Sequence, residues 1–303
     1  MKNISIIIPN YNGREYLSTN IPFLLKTLKD FKAKNEIIMV DDCSRDGSIE
    51  FVQKRFPSVR VFKTKENSGF GKACNLGIKK SNYDIVYLLN TDVKVTKGFM
   101  DDILVKFQEH DCFAVGSLEN NRKKIFIPVI GFKWGMFIYN YEQSFSKEKY
   151  IEVVFVSAGH SAFDKKKFLK LGGFNEIYSP FLWEDMDICY LAGKRGWKSY
   201  YCSKSLVSHD KGGTIKKSYD LKKISTIHWR NRFLFLWSVI RGRLLIYHII
   251  MLPFLVLGSL FFKREMFNGF MAAIPMAKQA FATKRSPDKC KDIDMIKKFR
   301  LVI

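Results

Sequence analysis

The sequence predicts an α/β fold in which a mostly parallel sheet carries helices on both faces. Over roughly the first 100 residues, runs rich in β-forming residues alternate with segments whose apolar residues recur at helical spacing. These runs are apolar throughout, as expected of strands buried on both faces. Two of them end in acidic residues, at Asp41-Asp42 and at Asp92. Together, the three observations predict a ligand site at the carboxyl edge of the sheet.

The predicted elements alternate along the chain. Strands are predicted at 4–8, 36–40, 59–62 and 85–89, with helices at 14–29, about 48–55 and around 73–78. A helix at 99–109, strands at 112–117 and 153–156, and a helix at 184–194 follow. The basic, aromatic stretch 119–149 shows little periodicity and receives no assignment.

The composition fits a folded, basic protein. At 303 residues, of which 47% are hydrophobic, the chain can form one large domain or a domain with an appendage. The formal net charge of +22 suggests an anionic partner such as nucleic acid, a membrane surface or a phosphorylated substrate. The six cysteines form no C-x-x-C pair, which argues against a zinc knuckle or a disulfide framework. The N-terminal apolar run is too short for a signal sequence, so we expect a cytoplasmic catalytic part.

Asp92 and one cluster of three acidic residues are candidates for chemistry. Asp92 follows a buried strand directly and could hold a metal or phosphate there, although a solvated loop residue or helix cap is the simpler interpretation of this residue alone. Glu184, Asp185 and Asp187 lie in the first turn of a predicted helix, where each charge complements the helix dipole by about 0.3–1 kcal/mol. The neighbouring Trp183 indicates a partly desolvated setting, which raises the pKa of a carboxylate and suits a general base.

Seven segments occur in order along the chain: SIIIPNYNG, VDDCSRDGS, ENSGFGKACNLGI, LLNTDV, LGGFNE, FLWEDMDICYLAGKRGW and VSHDKGG. Each segment alone is a weak signal, but the ordered set is a strong one. Together they resemble the family-two glycosyltransferases, which have the GT-A fold, and in particular their bacterial rhamnosyltransferase-like branch. The resemblance covers roughly residues 3 to 235 and implies sugar transfer from a nucleotide-diphosphate donor in cell-surface polysaccharide synthesis.

On the donor side, the resemblance implies that Asp41, with Asp42 beside it, binds the nucleotide base. Asn90 stands where the stricter family pattern has an aspartate, so we expect its amide to bind the ribose. Lys72 or Arg230 would neutralise the departing diphosphate, although Arg230 also fits a basic cluster next to a membrane. The expected donor-binding residues are Pro9, Tyr11, Asp41, Asp42, Asn67, Gly69, Lys72, Asn90, Thr91 and Arg230.

For the metal, the resemblance implies that Asp92 is a ligand and that His209 completes the site. Carboxylate oxygen suits Mg²⁺ or Mn²⁺, and an imidazole ligand favours Mn²⁺. A core or surface position fits a lone His equally well, and the polar loop at 210–213 favours the metal role.

For catalysis, the resemblance implies that Asp185, paired with Glu184, removes a proton from an acceptor hydroxyl. That oxygen then attacks the anomeric carbon, and direct displacement inverts the configuration. Trp183, Gly159 and His160 are expected on the acceptor side. Rhamnose from dTDP-rhamnose is the expected sugar, on resemblance alone.

The C-terminal part is predicted to be a helical, membrane-associated appendage, which divides the chain into a glycosyltransferase domain at 1–215 and this region at 216–303. The apolar segment 244–262 has 19 residues and falls within the range of about 17–25 for a membrane span. A span, a re-entrant or in-plane helical hairpin and a buried core helix are all open, and basic residues at both ends favour the hairpin. We therefore expect a peripheral or monotopic protein on the anionic, cytoplasmic face of the inner membrane, with a lipid-linked or saccharide acceptor; a homodimer is left open.

Other functions fit the sequence less well. A sugar-nucleotidyltransferase should carry a Gly-rich, basic loop after the first strand, and 9–13 is not such a loop. A nucleic-acid-binding protein is not expected, because no known signature is present and strand-end carboxylates repel phosphates that lack a metal. A dinucleotide-binding G-x-G-x-x-G starting at Gly69 would need Gly at position 74, where Cys74 stands.

Overall fold

The computed structural model describes residues 2–120, 124–210, 219–283 and 289–300. Its strands are β1 (Ile4–Asn10), β2 (Asn35–Asp41), β3 (Val59–Lys63), β4 (Ile85–Leu89), β5 (Val93–Val95), β6 (Cys112–Glu119), β7 (Ile125–Lys133), β8 (Met136–Ser144), β9 (Tyr150–Val153), β10 (His160–Asp164) and β11 (Lys198–His209). Its α-helices are α1 (Arg14–Leu28), α2 (Ser48–Arg55), α3 (Phe70–Lys80), α4 (Asp101–Lys106), α5 (Lys165–Lys170), α6 (Glu184–Lys194), α7 (Leu221–Val239), α8 (Gly242–Phe262), α9 (Arg264–Ala273), α10 (Ala277–Ala282) and α11 (Asp292–Lys298). Short 3₁₀ helices lie at Glu176–Tyr178 and Ile274–Met276.

The main sheet has the spatial order β3-β2-β1-β4-β10-β6-β11-β5, and β9 pairs with β11. Strands β1 to β4 are parallel to one another, whereas β10 runs antiparallel to both of its neighbours, β4 and β6. Strands β7 and β8 form a separate antiparallel hairpin. The predicted mostly parallel α/β sheet is therefore confirmed.

Hydrophobic residues pack on both faces of the sheet, because neighbouring side chains of a strand point to opposite sides. On one face, Ile6 and Tyr87 belong to a core that includes α1 and α4 residues. On the other face, Ile7 and Leu88 belong to a core that includes residues of α3, α6 and α7. This second core continues into the β7–β8 hairpin and so joins the C-terminal helices to the sheet.

Several sequence-based assignments differ from the structure. The unassigned stretch contains the end of β6 and, in its described part, the β7–β8 hairpin. Hydrophobic residues are buried on both faces of this hairpin, as the adjacent Val129 and Ile130 are, and this removes the usual alternation. The strand expected at 153–156 ends at Val153, and β10 and β11 were not predicted as strands. The proposed domain boundary after residue 215 and the loop residues 211–213 lie outside the described residues.

Candidate active site

A turn at 157–160 lies in space between the end of β4 and the start of α6. The backbone N–H of Asn90 donates to the carbonyl oxygen of Gly159 at 2.8 Å. A Cβ on Gly159 would lie 2.4 Å from the Asn90 amide nitrogen, so only glycine allows this approach. The backbone N–H of Ala158 lies close enough to the Asp185 carboxylate to lower its pKa. The turn therefore places Asp185 close to the strand end that carries Asn90 and Asp92.

Asp92 and His209 are brought together by strand pairing. His209 is the register partner of Val93, the residue after Asp92, in the antiparallel β5–β11 pair. The Asp92 Oδ2 and His209 Nε2 atoms are 3.5 Å apart. On the other side of the ring, His209 Nδ1 is 3.4 Å from Glu119 Oε1. Hydrogen bonds to Asp92 and then to Glu119 raise the pKa of His209 to about 9.

This arrangement fits a divalent metal held by Asp92 and His209. A metal-bound histidine commonly donates its second ring N–H to a carboxylate, and Glu119 stands in that position. Among the described residues, no group of three or more His, Cys, Asp or Glu side chains is placed to hold a metal ion on its own. The pair would therefore need further ligands from water or from substrate phosphates, which is usual for Mg²⁺.

His160 lies on the metal side of this region. It starts β10 opposite Leu89, and its ring centroid is 6.4 Å from that of His209. Burial, followed by the charge of His209, lowers the pKa of His160 to about 4. His160 is therefore a neutral, buried ring next to the expected metal ligand, and Gly159 lies beneath Asn90.

The two acidic residues after β2 are buried and bonded by the protein. Asp41 accepts hydrogen bonds from the Asn10 amide at 2.7 Å and from the Ser44 backbone N–H at 2.8 Å. Asp42 accepts from the backbone N–H groups of Ser68 and Gly69, at 2.9 and 2.7 Å. These carboxylates organise the loops around the donor side, and Asp41 itself has no exposed surface.

The loop that Asp42 holds also docks on the segment before α6. The N–H of Phe70 donates to the Pro180 carbonyl oxygen at 2.9 Å, and the Ser179 hydroxyl donates to the Ser68 carbonyl oxygen at 2.7 Å. A Cβ on Gly69 would lie 2.6 Å from the Pro180 carbonyl oxygen. Donor-side loops and the catalytic segment thus form one connected frame.

The other expected donor-binding residues surround this frame. Lys72 is exposed, lies 3.7 Å from Glu66, and lines a small cavity together with Glu184. Arg230 donates to the carbonyl oxygens of Tyr178 and Ser179, so its guanidinium is engaged by the segment before α6. Pro9 and Tyr11 lie at the end of β1, Thr91 is buried after β4, and Asn67 is exposed in the loop before α3.

Two residues before the acidic pair have unusual backbone conformations. Leu182 and Trp183 have φ values of 73° and 81°, in the left-handed region that non-glycine residues avoid. The Asn231 side chain, from α7, donates to the carbonyl oxygens of Tyr178, Phe181 and Leu182 at 2.8–2.9 Å. Such conformations persist only where the surrounding structure imposes them, and Asn231 supplies that constraint here.

Glu184 and Asp185 lie in a water-poor environment. Glu184 is 7% exposed, and among the described residues its Oε2 atom has no hydrogen-bond partner. Burial, with a further contribution from the Asp185 charge, raises the pKa of Glu184; burial also raises the pKa of Asp185. Asp185 retains partial exposure and so can still meet a substrate.

Aromatic residues enclose this pair. The Trp183 ring lies 5.5 Å from both Tyr139 and His228, and 5.2 Å from Phe235. Trp183 is buried, so it forms part of the wall and not of an open acceptor surface. Tyr139, His228, Asn231 and Glu119 were not predicted as site residues. Of these four, only Asn231 adjoins a predicted site residue, Arg230.

The family model "Glycosyl transferase family 2" matches residues 5–172, more than half of the chain. The chain belongs to glycosyl transferase family 2. The sequence-based recognition of this family is confirmed, whereas its rhamnosyltransferase-like branch stays a prediction.

Relatives within the family support the assignment over part of their length. The poly(ribitol-phosphate) β-N-acetylglucosaminyltransferase TarS of Staphylococcus aureus is 31% identical over 114 residues, which are 36% of this chain and 20% of TarS. The minor teichoic acid biosynthesis protein GgaB of Bacillus subtilis is 31% identical over 112 residues, 36% of this chain and 12% of GgaB. The similarity therefore covers a small part of these larger proteins.

Solved structures show the same fold. TarS 1–349 in complex with UDP-GlcNAc superposes with a TM-score of 0.58 at 20% identity, over 93% of this chain and 82% of that one. The mannosyltransferase PcManGT of Pyrobaculum calidifontis, in complex with GDP-Man and Mn²⁺, gives a TM-score of 0.58 at 13% identity, over 91% and 86% of the two chains. The expected GT-A architecture is confirmed.

Proposed function

We propose that this protein is a metal-dependent, inverting glycosyltransferase that moves a sugar from a nucleoside-diphosphate donor to a hydroxyl group of a saccharide acceptor. The observation that carries this proposal is the turn at 157–160, which contacts Asn90 on one side and Asp185 on the other. A donor diphosphate near Asp92 and an acceptor near Asp185 would then share one cleft.

In the proposed reaction, the Asp185 carboxylate accepts the proton of the acceptor hydroxyl. The oxygen forms a bond to the anomeric carbon, and the bond from that carbon to the diphosphate oxygen breaks. The nucleoside diphosphate leaves from the opposite side, so the anomeric configuration inverts. The raised pKa of Asp185 brings the carboxylate closer to the range in which a general base works well at neutral pH.

Asp92 and His209 would hold Mn²⁺ or Mg²⁺, with Glu119 orienting the imidazole. When bound, the ion would neutralise charge on the departing diphosphate. The Mn²⁺ in the mannosyltransferase complex supports this part of the proposal. Lys72 is a candidate for the same role, since it is exposed and lines a cavity together with Glu184.

For the donor, we propose a pyrimidine nucleoside-diphosphate sugar, with dTDP-rhamnose, the sequence-based expectation, as the first candidate. UDP-GlcNAc, the ligand of the TarS complex, is the second. Asp41, Asp42, Pro9 and Tyr11 would shape the base site. Because Asp41 is closed to solvent, we expect it to act mainly by orienting Asn10.

We also propose that the acceptor is carried on a lipid and that residues 216–303 attach the protein to the cytoplasmic face of the membrane. Among the described residues, Gly242–Phe262 is the one helix long and apolar enough to cross a membrane. Exposed basic residues, Arg241 and Arg243 at one end and Lys263 and Arg264 at the other, suit an anionic lipid surface. A role in envelope polysaccharide synthesis, as the names of TarS and GgaB state for those proteins, fits this location.

The test is an assay of donor turnover with each candidate donor, with and without Mn²⁺. Metal-dependent release of nucleoside diphosphate is the expected result. Release of pyrophosphate would instead indicate a nucleotidyltransferase. Turnover that is unchanged by metal chelation would contradict the role given to Asp92 and His209.

A further inference from the structure

Helix α8 lies along the protein surface and offers one face to its surroundings. His248 and Ser259 are its two buried residues, and the partly buried Leu244, Leu252 and Leu255 pack against the core. The opposite face is an exposed apolar stripe with helical spacing: Ile246, Ile250, Phe254, Leu257 and Phe261. One face of this helix packs against the protein, and its broad opposite face, which also includes Ile249 and Leu260, is apolar and exposed; this arrangement suits an in-plane helix.

The tip of the β7–β8 hairpin is seated on the middle of this helix. His248 Nδ1 donates to the carbonyl oxygen of Gly135 at 2.7 Å, and His248 Nε2 accepts from Trp237 Nε1 at 3.1 Å. Gly135 has a φ of 73°, and a Cβ there would lie 2.6 Å from the Met251 side chain. The Phe132 ring lies 6.2 Å from Tyr247. The tip is thus fixed to α8 by a buried hydrogen bond and close packing.

Trp134, at this tip, is 65% exposed although it is a large aromatic residue. It adjoins Gly135, which touches Met251, and it therefore extends the exposed apolar surface of α8 sideways. Its neighbour Lys133 is also exposed. Tryptophan favours the boundary between lipid headgroups and acyl chains, and a lysine beside it is attracted by anionic headgroups.

We propose that the hairpin tip, Lys133 and Trp134, is a second membrane contact that enters the interface of an anionic bilayer beside α8. This rests on the proposed membrane association of the protein. Exposed cations flank both ends of α8: Arg241, Arg243, Lys263 and Arg264. An apolar surface bordered by such cations fits an anionic lipid bilayer as its partner.

The contact would set the distance from the membrane to the active site. Tyr139 lies five residues beyond Trp134 on the same hairpin, about 16 Å along an extended strand. The Tyr139 ring is 5.5 Å from Trp183, next to the Glu184–Asp185 pair. A lipid-carried saccharide would then place its reacting hydroxyl about 16 Å above the bilayer surface, about half the length of the hairpin.

The test uses the full chain and vesicles of phosphatidylcholine, with or without phosphatidylglycerol. Trp134→Ala should weaken partitioning to the anionic vesicles about tenfold, in line with loss of one buried aromatic side chain. The matched control is Phe145→Ala, since Phe145 is 83% exposed but follows the far end of β8, about 30 Å away. This control should bind like the wild type. Quenching of tryptophan fluorescence by brominated lipid should fall strongly in Trp134→Phe.

Equal losses for the Trp134 and Phe145 variants, or quenching that survives Trp134→Phe, would overturn the proposal. If the wild-type protein binds neither kind of vesicle, the proposed membrane association is wrong as well. Donor turnover in solution would then still support the glycosyltransferase proposal. Dimers that Trp134→Ala converts to monomers would identify the tip as an interface between copies instead. Equal binding of the wild type to vesicles with and without phosphatidylglycerol would contradict the role of the anionic headgroup.

Discussion

The donor-side loops and the start of α6, with Glu184 and Asp185, use carboxylates in opposite ways. Asp41 and Asp42 are buried, and their oxygens accept hydrogen bonds from backbone N–H groups and from the Asn10 side-chain amide. Glu184 is also buried, yet one of its oxygens has no partner among the described residues, and Leu182 and Trp183 before it are in left-handed conformations. Satisfied carboxylates make a rigid frame, whereas a desolvated and constrained pair is poised for proton transfer.

This difference predicts how variants should divide. Changes at Asp41, Asp42 and their partners should act on donor binding and stability, because they loosen the donor-side loops. Changes at Asp185, or in the residues that hold the segment before it, should act on kcat, because they alter the proposed base or its position. Each experiment below would sharpen or break that division.

The largest effect is expected for Asp185→Asn. The amide keeps the shape of the side chain but cannot accept the proton, so kcat should fall by about 10²–10⁴-fold. Donor affinity, measured by titration calorimetry, should stay within about twofold of the wild type, since the frame is intact. Asp187→Asn is the control, because Asp187 lies on the same helix and bonds Tyr178. Equal losses in both variants would remove Asp185 from its role.

The second effect is expected for Asp42→Asn. The amide leaves one of the two N–H groups of Ser68 and Gly69 without its charged acceptor, at a cost of about 1.5–3 kcal/mol. The KM for donor should rise about tenfold or more, with a smaller change in kcat. Asp46→Asn, at a partly buried residue of the same segment, controls for general loop damage. A selective loss of kcat in Asp42→Asn would break the division between the two regions.

A smaller effect on kcat is expected for Asn231→Asp, which replaces a donor by an acceptor facing three carbonyl oxygens. The segment before Asp185 should shift, so kcat should fall about tenfold and the acidic limb of the kcat–pH profile should move. Tyr190→Phe removes one buried hydrogen bond elsewhere on α6 and should lower only the melting temperature. An Asn231→Asp variant with wild-type kcat and pH profile would show that the amide is merely structural.

The smallest effect concerns stability and pH. Burial raises the pKa of Glu184 in the folded protein, so its contribution to stability is full at low pH and is lost as pH rises through the folded-state pKa. Glu184→Gln mimics the protonated form, so it should match the wild type in acid and melt at a higher temperature in alkali. The gap is about 1.4 kcal/mol for each unit by which the pKa is raised. Parallel melting curves at all pH values would contradict a desolvated Glu184.

Some of the site could be found in the sequence because its signal is local. An apolar strand that stops at Asp92, and a helix that opens with Glu184-Asp185 after Trp183, can both be recognised without a structure. Asn231 acts on carbonyl groups about 50 residues away in the chain, and no local pattern reports such a contact. Tyr139 was missed for a related reason, because the adjacent Met136 and Phe137 are both buried, and burial on both faces hides the alternation of β8.

The most direct test of a shared cleft for donor and base is the anomeric configuration of the product, determined by NMR after transfer from a donor of known configuration. With Asp185 as the only base and the diphosphate held near Asp92, the account predicts a single displacement and an inverted product. A product with retained configuration would contradict it, since retention needs a second displacement that this arrangement does not provide.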